Sequence, residues 1–364
     1  MGTVGRSTCA VLVLACLSAA CGHVGFAEQS PVPGPGSNGN AVPQACFTAP
    51  APQATFPDLD VDIAVAAKPD GVAVIWAPRA VGDLWGLTLD QQWQIATSPQ
   101  IVKPGSWSGT GAVYMNGALV ISEVENTNSV KLDVASDDLT TIELSEFGCP
   151  DATTIAKQAL VSAGSDSVSA TGWTTGLTVT GYDTTWAESN EMTVPSATPA
   201  AVTATTGIAT PDAYVAWSMP GGCVVQDIEN ASTMGASASY PTGCDSPALV
   251  ATPTGLALAF EDSAGVELSV GAFGSVGPSD VTSTLAAGAS SPRLAFDGTR
   301  LWFAYLDATG HAVVGQLSDG ADPLATQTVA TPAAAAFELV AIDNDVWLFT
   351  ADSGGMTATM FCLP

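Results

Sequence analysis

Carboxylates are the most abundant ionisable side chains in this sequence, with 35 Asp and Glu residues against eight Lys and Arg and two His residues. Paired carboxyl groups can carry general acid and base catalysis, as in glycoside hydrolysis. Most of the acidic pairs stand where turns are predicted, and we interpret them as solvated turn residues. These pairs are Glu123 and Glu125, Asp137 and Asp138, and Asp343 and Asp345. We therefore assign no catalytic residue from the sequence.

Histidine is too scarce for a His-rich metal site, and it limits nucleophilic catalysis to one candidate. His23 lies in a Pro- and Gly-rich stretch, so a Ser-His-Asp or Cys-His arrangement would have to use His311. Gly310 and Ala312 flank His311 directly after a predicted turn. We interpret His311 as a turn residue at the surface.

One acidic segment has the spacing of a calcium site. Asp58, Asp60 and Asp62 alternate with apolar residues, which would place three carboxylates on one face of a strand. Ca²⁺ prefers such oxygen ligands, although this segment lacks the glycine and the spacing of a known calcium loop. The sequence therefore leaves two readings open, a Ca²⁺ site at these residues or no cofactor at all.

Residues 1–21 have the features of an export signal. Arg6 is the only charged residue before Glu28, and the stretch from Cys9 to Ala20 is apolar or small. A single positive charge followed by a short apolar run is typical of a secretory signal peptide. The run is too short to cross a bilayer as a helix.

The signal ends in Leu17-Ser18-Ala19-Ala20-Cys21, which resembles the lipobox of bacterial lipoproteins. In that family the cysteine receives lipid and becomes the mature N-terminus, and Leu usually stands three residues before it, where this chain has Ser18. The resemblance implies lipid attachment at Cys21 and a lipoprotein of the outer membrane, facing the periplasm or the cell surface. The alternative is plain secretion after cleavage near Ala20 or Ala27.

Residues 22–45 are predicted to form a disordered tether, because their Pro, Gly and Asn residues disfavour both helices and strands. Such a tether would hold a folded domain, residues 46–364, away from the membrane.

The folded part is a repeat, most clearly near its C-terminal end. Three predicted turns follow an Asp-x-x-Gly pattern in which both residues recur at a step of 45, namely Asp262, Asp307 and Asp352 with Gly265, Gly310 and Gly355. Asp bonds the backbone of such a turn and Gly supplies a positive φ, so the pattern predicts hairpins.

The unit can be followed back to about residue 58. Equivalent positions at 76, 122, 173, 217, 260, 305 and 350 indicate seven copies of about 45 residues, each with four predicted strands. Four-stranded units of this length are typical of β-propellers. We therefore predict an all-β fold, a single seven-bladed β-propeller, with Asp151 to Val161 as the best candidate for a short helix.

The last copy has only three strands, and the segment around Cys46 can supply the fourth. Cys46 and Cys362 would then lie on neighbouring strands and could form a disulfide, which the exported location permits. In the chain-entropy model such a bridge stabilises by about 4–5 kcal/mol. Cys223 and Cys244 are the second predicted pair, which leaves Cys149 without a partner.

Four tryptophans outside the second strands of the copies have two interpretations. They are Trp85, Trp93, Trp107 and Trp186. They could stack on a glycan or a peptide, or they could pack between blades.

The net charge excludes nucleic acids as partners, and the sequence leaves two functions open. With eight Lys and Arg residues and a net charge of -27, the chain cannot neutralise nucleic-acid phosphates. The chain resembles exported β-propeller lipoproteins of bacteria, a group without a single activity, and it matches no specific enzyme family. We expect a monomeric, non-enzymatic binding or scaffold protein for a protein, peptide or glycan. The alternative is a carboxylate-dependent carbohydrate-active enzyme.

Overall fold

The structure is a computed structural model of the 364-residue chain. It describes residues 44–49, 61–78, 82–125, 129–148, 155–173, 176–195, 201–208, 210–240, 243–271, 281–317, 323–328, 336–342, 345–352 and 355–362. The chain divides into two units, Met1–Asn38 and Gly39–Pro364, and all described residues belong to the second unit. The predicted signal, Cys21, the first part of the tether and Cys149 lie outside the described residues.

The described residues form antiparallel sheets arranged as seven blades, which confirms the predicted fold. The blades are numbered in chain order, and each strand is named with its range in the lists that follow.

Blade 1 contains β2 (Val61–Lys68), β3 (Gly71–Pro78), β4 (Gly82–Asp90) and the first part of β5 (Ile95–Met115). Blade 2 contains the rest of β5, β6 (Ala118–Glu125), β7 (Ser129–Ala135) and β8 (Thr141–Gly148). Blade 3 contains β9 (Ile155–Ala163), β10 (Asp166–Trp173), β11 (Gly176–Tyr182) and β12 (Glu188–Pro195). Blade 4 contains β13 (Ala201–Thr206), β14 (Ala213–Met219), β15 (Gly222–Glu229) and β16 (Thr233–Tyr240).

Blade 5 contains β17 (Asp245–Thr252), β18 (Gly255–Glu261), β19 (Gly265–Gly271) and β20 (Val281–Ala287). Blade 6 contains β21 (Ser290–Phe296), β22 (Leu301–Leu306), β23 (Ala312–Leu317) and β24 (Pro323–Thr328). Blade 7 contains β25 (Ala336–Ile342), β26 (Asp345–Asp352), β27 (Gly355–Cys362) and β1 (Gln44–Ala49).

The first strand of each blade faces the centre of a closed ring. Each of these inner strands contacts the inner strand of the next blade, in the order β2, β5, β9, β13, β17, β21, β25 and back to β2. The helix considered for residues 151–161 is not found, because residues 155–163 pair with β10 as the inner strand of blade 3. The described residues include no helix that could cross a membrane.

The N-terminal strand closes the ring, as predicted. β1 pairs antiparallel with β27, so that both ends of the propeller chain lie in blade 7. Gln44 stands opposite Cys362, and the ladder has a bulge between Ala45 and Phe47, where Cys46 lies. The side chains of Cys46 and Cys362 lie outside the described set, and their disulfide stays a prediction.

Blades 1 and 2 are joined by one continuous strand, which the repeat pattern did not predict. β5 runs for 21 residues and belongs to a seven-stranded sheet that includes both blades. Trp107 in β5 stands opposite Gly82 of blade 1 and also opposite Glu125 of blade 2. The outer strand of one blade therefore becomes the inner strand of the next without a loop.

The core consists of apolar layers between neighbouring blades. The second strand of a blade is buried on both faces, and Trp76, Trp302 and Trp347 on these strands are among the largest fully buried side chains. Trp347 of blade 7, for example, packs with Val74 and Leu87 of blade 1. Burying a large apolar side chain of this kind contributes roughly 2–3 kcal/mol, so these layers hold adjacent blades together.

The repeated Asp-x-x-Gly turns have the predicted chemistry where the structure describes them. The Asp262 carboxylate accepts hydrogen bonds from the backbone N–H groups of Ala264 and Gly265 at 2.6 and 3.0 Å. Gly265 has a φ of +143°, and a Cβ added there would lie 2.1 Å from the carbonyl oxygen of Ala286. This turn therefore requires glycine both for its backbone conformation and for the close approach of the next strand.

The predicted disulfide between Cys223 and Cys244 is present, with the two Cα atoms 5.3 Å apart. Cys223 lies at the start of β15 in blade 4, and Cys244 immediately precedes β17 of blade 5. Both belong to the apolar cluster between these blades. The bridge thus links two adjacent blades covalently.

Candidate functional site: the central channel

A cavity of about 850 Å³ occupies the central channel enclosed by the seven inner strands. Its walls come from every blade and are made chiefly of small or aliphatic residues and of Ser and Thr. A volume of this size is in the range that accommodates small-molecule and cofactor-sized ligands.

Charged residues of the channel cluster on three successive blades. Among the described lining residues they are Arg293 on β21 of blade 6, Glu338 on β25 of blade 7 and Asp62 on β2 of blade 1. Arg293 Nε donates to Glu338 Oε2 at 2.9 Å, and the two side chains are 30% and 28% exposed. Arg293 also donates through Nη1 to the carbonyl oxygen of Pro292 and lies over the ring of Phe337.

The channel makes the Glu338 carboxylate costly to ionise. Protein surrounds the group except where it faces the channel, and this burial raises its pKa above the ordinary value. Arg293 lowers the pKa through its charge and its hydrogen bond, whereas the nearby negative charge of Asp62 raises it. The direction of the shift indicates that burial of Glu338 outweighs the stabilisation of its ionised form by Arg293.

A polar side chain in the opposite wall has unmet hydrogen-bonding capacity. Gln158 lies on β9 of blade 3 and lines the same channel. Neither its amide nitrogen nor its amide oxygen has a hydrogen-bond partner, and both atoms are shielded from solvent. In a ring of seven, blade 3 stands across from blades 6 and 7, which carry Arg293 and Glu338. An unpaired buried amide costs about 1–3 kcal/mol, and this cost would be removed by a bonded partner.

A second ionisable cluster, which the sequence did not predict, lies between blades 1 and 2. Lys103 on β5 bonds through Nζ to Glu123 Oε1 at 2.5 Å and to Asp133 Oδ2 at 2.7 Å. Glu123 and Asp133 are 0% exposed, and the Lys103 ammonium also lies 4.5 Å from the ring centre of buried Trp107. The sequence offered no signal for this cluster beyond the acidic character of Glu123, because its members come from three different strands.

The pKa of Glu123 is raised to about 8, first by burial and then by the nearby Asp133 charge, while Lys103 opposes the shift. A carboxylic acid kept protonated near neutral pH can serve as a general acid in an enzyme. Here both carboxyl groups are sealed from solvent inside a blade interface and share one ammonium. We therefore interpret this cluster as structural.

The other acidic candidates lie apart from the channel. Asp137 and Asp138 are exposed in the turn after β7, where Asp137 pairs with Lys68 and Asp138 bonds the backbone of Thr140. Asp345 is exposed at the start of β26. Asp343 and the side chain of Glu125 lie outside the described set.

His311 occupies the turn position expected from the sequence. The backbone N–H of His311 donates a hydrogen bond to the Asp307 carboxylate at 3.0 Å. Nδ1 of His311 lies 2.6 Å from Thr309 Oγ1. The turn joins β22 to β23, so His311 is not part of the channel.

The proposed calcium site is only partly described. Asp58 and Asp60 lie outside the described residues, while Asp62 faces the channel. In the described ranges, no three His, Cys, Asp or Glu residues form a group that could hold a metal ion. Calcium binding by Asp58, Asp60 and Asp62 therefore stays a prediction.

All four tryptophans for which the sequence left two interpretations are packed between or within blades. Trp93 stacks on Trp347, and Trp85 stacks on Trp76 with ring centres 6.3 Å apart. Trp107 is buried beside Lys103, and Trp186 packs against the apolar cluster between blades 2 and 3. These contacts favour the packing interpretation over a stacking platform for a ligand.

No protein-family model matches the chain, and no curated protein sequence matches it. Among solved structures, the chain is similar to one described as "Crystal structure of BBS1N in complex with ARL6DN, soaked with lead". The TM-score is 0.56 at 14% identity, and the match covers 89% of this chain and 97% of the other. At this identity the similarity shows the propeller fold alone.

Proposed function

We propose that this protein is an exported, lipid-anchored β-propeller that acts as a non-enzymatic binding or scaffold protein for a protein, peptide or glycan. The observation that carries the proposal is the central channel, a cavity of about 850 Å³ with a charged cluster on one wall and an unpaired amide on the other. A cavity of this volume with a few convergent polar groups is typical of binding sites.

The channel lining supports binding rather than nucleophilic catalysis. Its described residues include no His and no Cys, and several of its hydroxyl groups are already bonded to protein atoms. Thr110 Oγ1, for example, donates to the carbonyl oxygen of Ser122, and Thr206 Oγ1 donates to that of Ser162. The solved propeller to which the chain is similar was crystallised in complex with ARL6DN, which supports a protein partner by analogy of fold only.

Export and anchoring rest on the N-terminal sequence. The Arg6-containing signal and the lipobox-like ending at Cys21 favour a lipoprotein of the outer membrane or the cell surface. We expect mass spectrometry of the mature N-terminus to find acylated Cys21. An unmodified N-terminus downstream of Cys21 would refute lipidation, and a Cys21→Ser variant recovered in the soluble fraction would support it.

Binding is tested by screening the purified mature chain against a glycan array and a peptide library at neutral pH. We expect a selective hit from one of the two collections. The matched control is a chain unfolded by reduction and heat, which should lose the signal. The absence of any folding-dependent hit from both screens would argue against a binding function.

The alternative function, a carbohydrate-active enzyme, is favoured by one observation. Asp62 and Glu338 lie on adjacent channel strands and interact electrostatically, and the pKa of Glu338 is raised. Glycosidases use two carboxyl groups about 5–10 Å apart. Release of reducing sugar from a bound glycan, abolished by both Asp62→Asn and Glu338→Gln, would support the enzyme. Binding without turnover would support the scaffold.

A further inference from the structure

We infer that the interface between blades 2 and 3 is the joint at which the ring of blades opens before the protein unfolds as a whole. Opening at this interface would connect the central channel with the outside through the side of the ring. The inference concerns the fold itself and does not depend on the identity of a ligand.

The apolar core between blades 2 and 3 is the smallest of the seven among the described residues. Each pair of neighbouring blades has one cluster of buried hydrophobic residues, and six of these clusters contain between ten and twelve members. The cluster between blades 2 and 3 contains four, namely Val120, Leu132, Leu160 and Tyr182. Because stabilisation grows with the apolar area removed from water, this interface gains least from the hydrophobic effect.

The two faces of blade 3 explain this difference. On β10, Val168 and Ala170 belong to the large cluster between blades 3 and 4. Successive side chains of a strand point to opposite faces, so Ser167, Ser169 and Thr171 face blade 2. All three are at most 1% exposed. The same strand therefore presents an apolar face to blade 4 and a hydroxyl face to blade 2.

The strands on both sides of β10 extend the hydroxyl face. Thr180 on β11 stands opposite Ser169, and Gln158 on β9 stands opposite Thr171. Gln158 is two residues away from Leu160, which belongs to the cluster between blades 2 and 3, so its side chain points into the same interface. We define the polar layer of this interface as Gln158, Ser167, Ser169, Thr171 and Thr180.

The polar layer lacks hydrogen-bond partners. Both amide atoms of Gln158 and the hydroxyl oxygens of its other four members are buried and have no partner among the described residues. The facing side chains of Val120 and Leu132 in blade 2 can neither donate nor accept a hydrogen bond. A buried polar group without a partner costs free energy, and water removes that cost when the interface opens. The polar layer therefore favours opening, whereas the apolar layers of the other interfaces oppose it.

The strongest links in the ring lie at other interfaces. The strand β5 passes from blade 1 into blade 2 without a loop, and the disulfide between Cys223 and Cys244 joins blades 4 and 5. Pairing of β1 with β27 holds the two ends of the propeller together within blade 7. None of these three constraints crosses the interface between blades 2 and 3.

Thiol labelling of introduced cysteines tests the joint. Ser169→Cys and Val168→Cys alter adjacent residues of β10 that are 1% and 0% exposed and that face blade 2 and blade 4, respectively. The purified chain is labelled with a thiol reagent under native conditions, and peptide mapping separates the introduced site from the native cysteines. We expect labelling at position 169 to be about tenfold or more faster than at position 168, which corresponds to an opening free energy lower by about 1.4 kcal/mol.

Equal labelling rates at the two positions, or faster labelling of the Val168→Cys variant, would overturn the inference. Thermal unfolding confirms that each variant folds. If one of them does not fold, Thr180→Cys and Val179→Cys on β11 give the same comparison, because these residues are also buried and face blade 2 and blade 4, respectively.

Removal of the hydroxyl groups should close the joint. In the Ser169→Cys background, Thr171→Val and Thr180→Val each replace an unpaired hydroxyl by a methyl group of nearly the same shape. Each should slow labelling about threefold or more while the stability of the fold is kept or raised. Thr193→Val, at an exposed position of the outer strand β12 in the same blade, is the matched control and should leave the labelling rate unchanged. Labelling of the Thr171→Val and Thr180→Val variants as fast as in the control, or faster, would show that the polar layer does not weaken this interface and would overturn the inference.

Discussion

Glu123 on β6 and Asp133 on β7 have fully buried carboxyl groups, and both bond to the single ammonium group of Lys103. The second oxygen of each carboxyl group has no partner. Ionising a carboxyl group beside a second carboxylate is costly in a low-dielectric interior. Burial of Glu123, followed by the nearby charge of Asp133, raises its pKa to about 8, and Lys103 opposes the shift.

This arrangement predicts that the protein loses stability as pH rises from about 4.5 to about 8. The folded pKa of Glu123 lies above its ordinary value of 4.5, so the folded state binds the proton more tightly than the unfolded state. Its contribution is complete below pH 4.5, declines by up to about 1.4 kcal/mol per pH unit and is exhausted above about pH 8. Urea unfolding of wild type and Glu123→Gln across this range measures the difference.

The control for the pH prediction is Glu191→Gln, which alters an exposed residue of the outer strand β12. It should keep the wild-type pH dependence, whereas Glu123→Gln should reduce it. Identical slopes for wild type and Glu123→Gln would show that Glu123 is ionised in the folded protein throughout this range.

Loss of the Cys223–Cys244 disulfide should lower the stability of the protein, because this bridge links blades 4 and 5. The bridge closes a loop with a sequence separation of 21, for which the chain-entropy model gives about 3 kcal/mol. Cys223→Ala with Cys244→Ala should therefore lower the free energy of unfolding by about that amount in chemical denaturation. An unchanged midpoint would mean that the interface between these blades needs no covalent support.

A disulfide between Cys46 and Cys362 is expected from the pairing of β1 with β27, which places Gln44 opposite Cys362 and Cys46 two residues further along β1. Peptide mapping without reduction should recover the two cysteines in one cross-linked fragment. Recovery of both as free thiols would contradict this pairing. If the bridge forms, reducing agent should still destabilise the variant that lacks Cys223 and Cys244, by about 4–5 kcal/mol in the same model.

Gly265→Ala should destabilise blade 5 strongly. The substitution adds a Cβ 2.1 Å from the Ala286 carbonyl oxygen at a φ of +143°. Gly117→Ala is the matched control, since Gly117 has a φ of +79° but nothing within 4 Å of the added atom. We expect about 1 kcal/mol of destabilisation at Gly117, from backbone strain alone, and a clearly larger loss at Gly265. Equal losses of stability for the two variants in thermal unfolding would show that the contact with the Ala286 carbonyl adds no cost at Gly265.

Local chemistry made much of the propeller predictable. The turn residues Asp262 and Asp307 bond their own backbones within four residues, so their role depends on sequence neighbours alone. The apolar second strands, such as Leu301–Leu306, are continuous in the sequence. Closure of the ring by the N-terminal strand followed from the number of strands in each copy. The last copy has only three predicted strands, which leaves an exposed edge that another segment must cover.

The joining of blades 1 and 2 could not be predicted in this way. Pro104 and Gly105 lie within β5 and are residues that usually end a strand, yet the strand continues to Met115. Only contacts with β4 on one part of the strand and with β6 on the other keep it extended. Local propensity is overridden here by tertiary pairing.

The sequence by itself determined the number of blades and the turns between their strands, because periodicity and turn chemistry are properties of neighbouring residues. Only the tertiary structure decided which charged residues meet. Lys103 lies 20 and 30 residues from Glu123 and Asp133, and Arg293 lies 45 residues from Glu338. Such residues are brought together by ring closure and by packing of blade against blade, and no local pattern in the sequence encodes these distances.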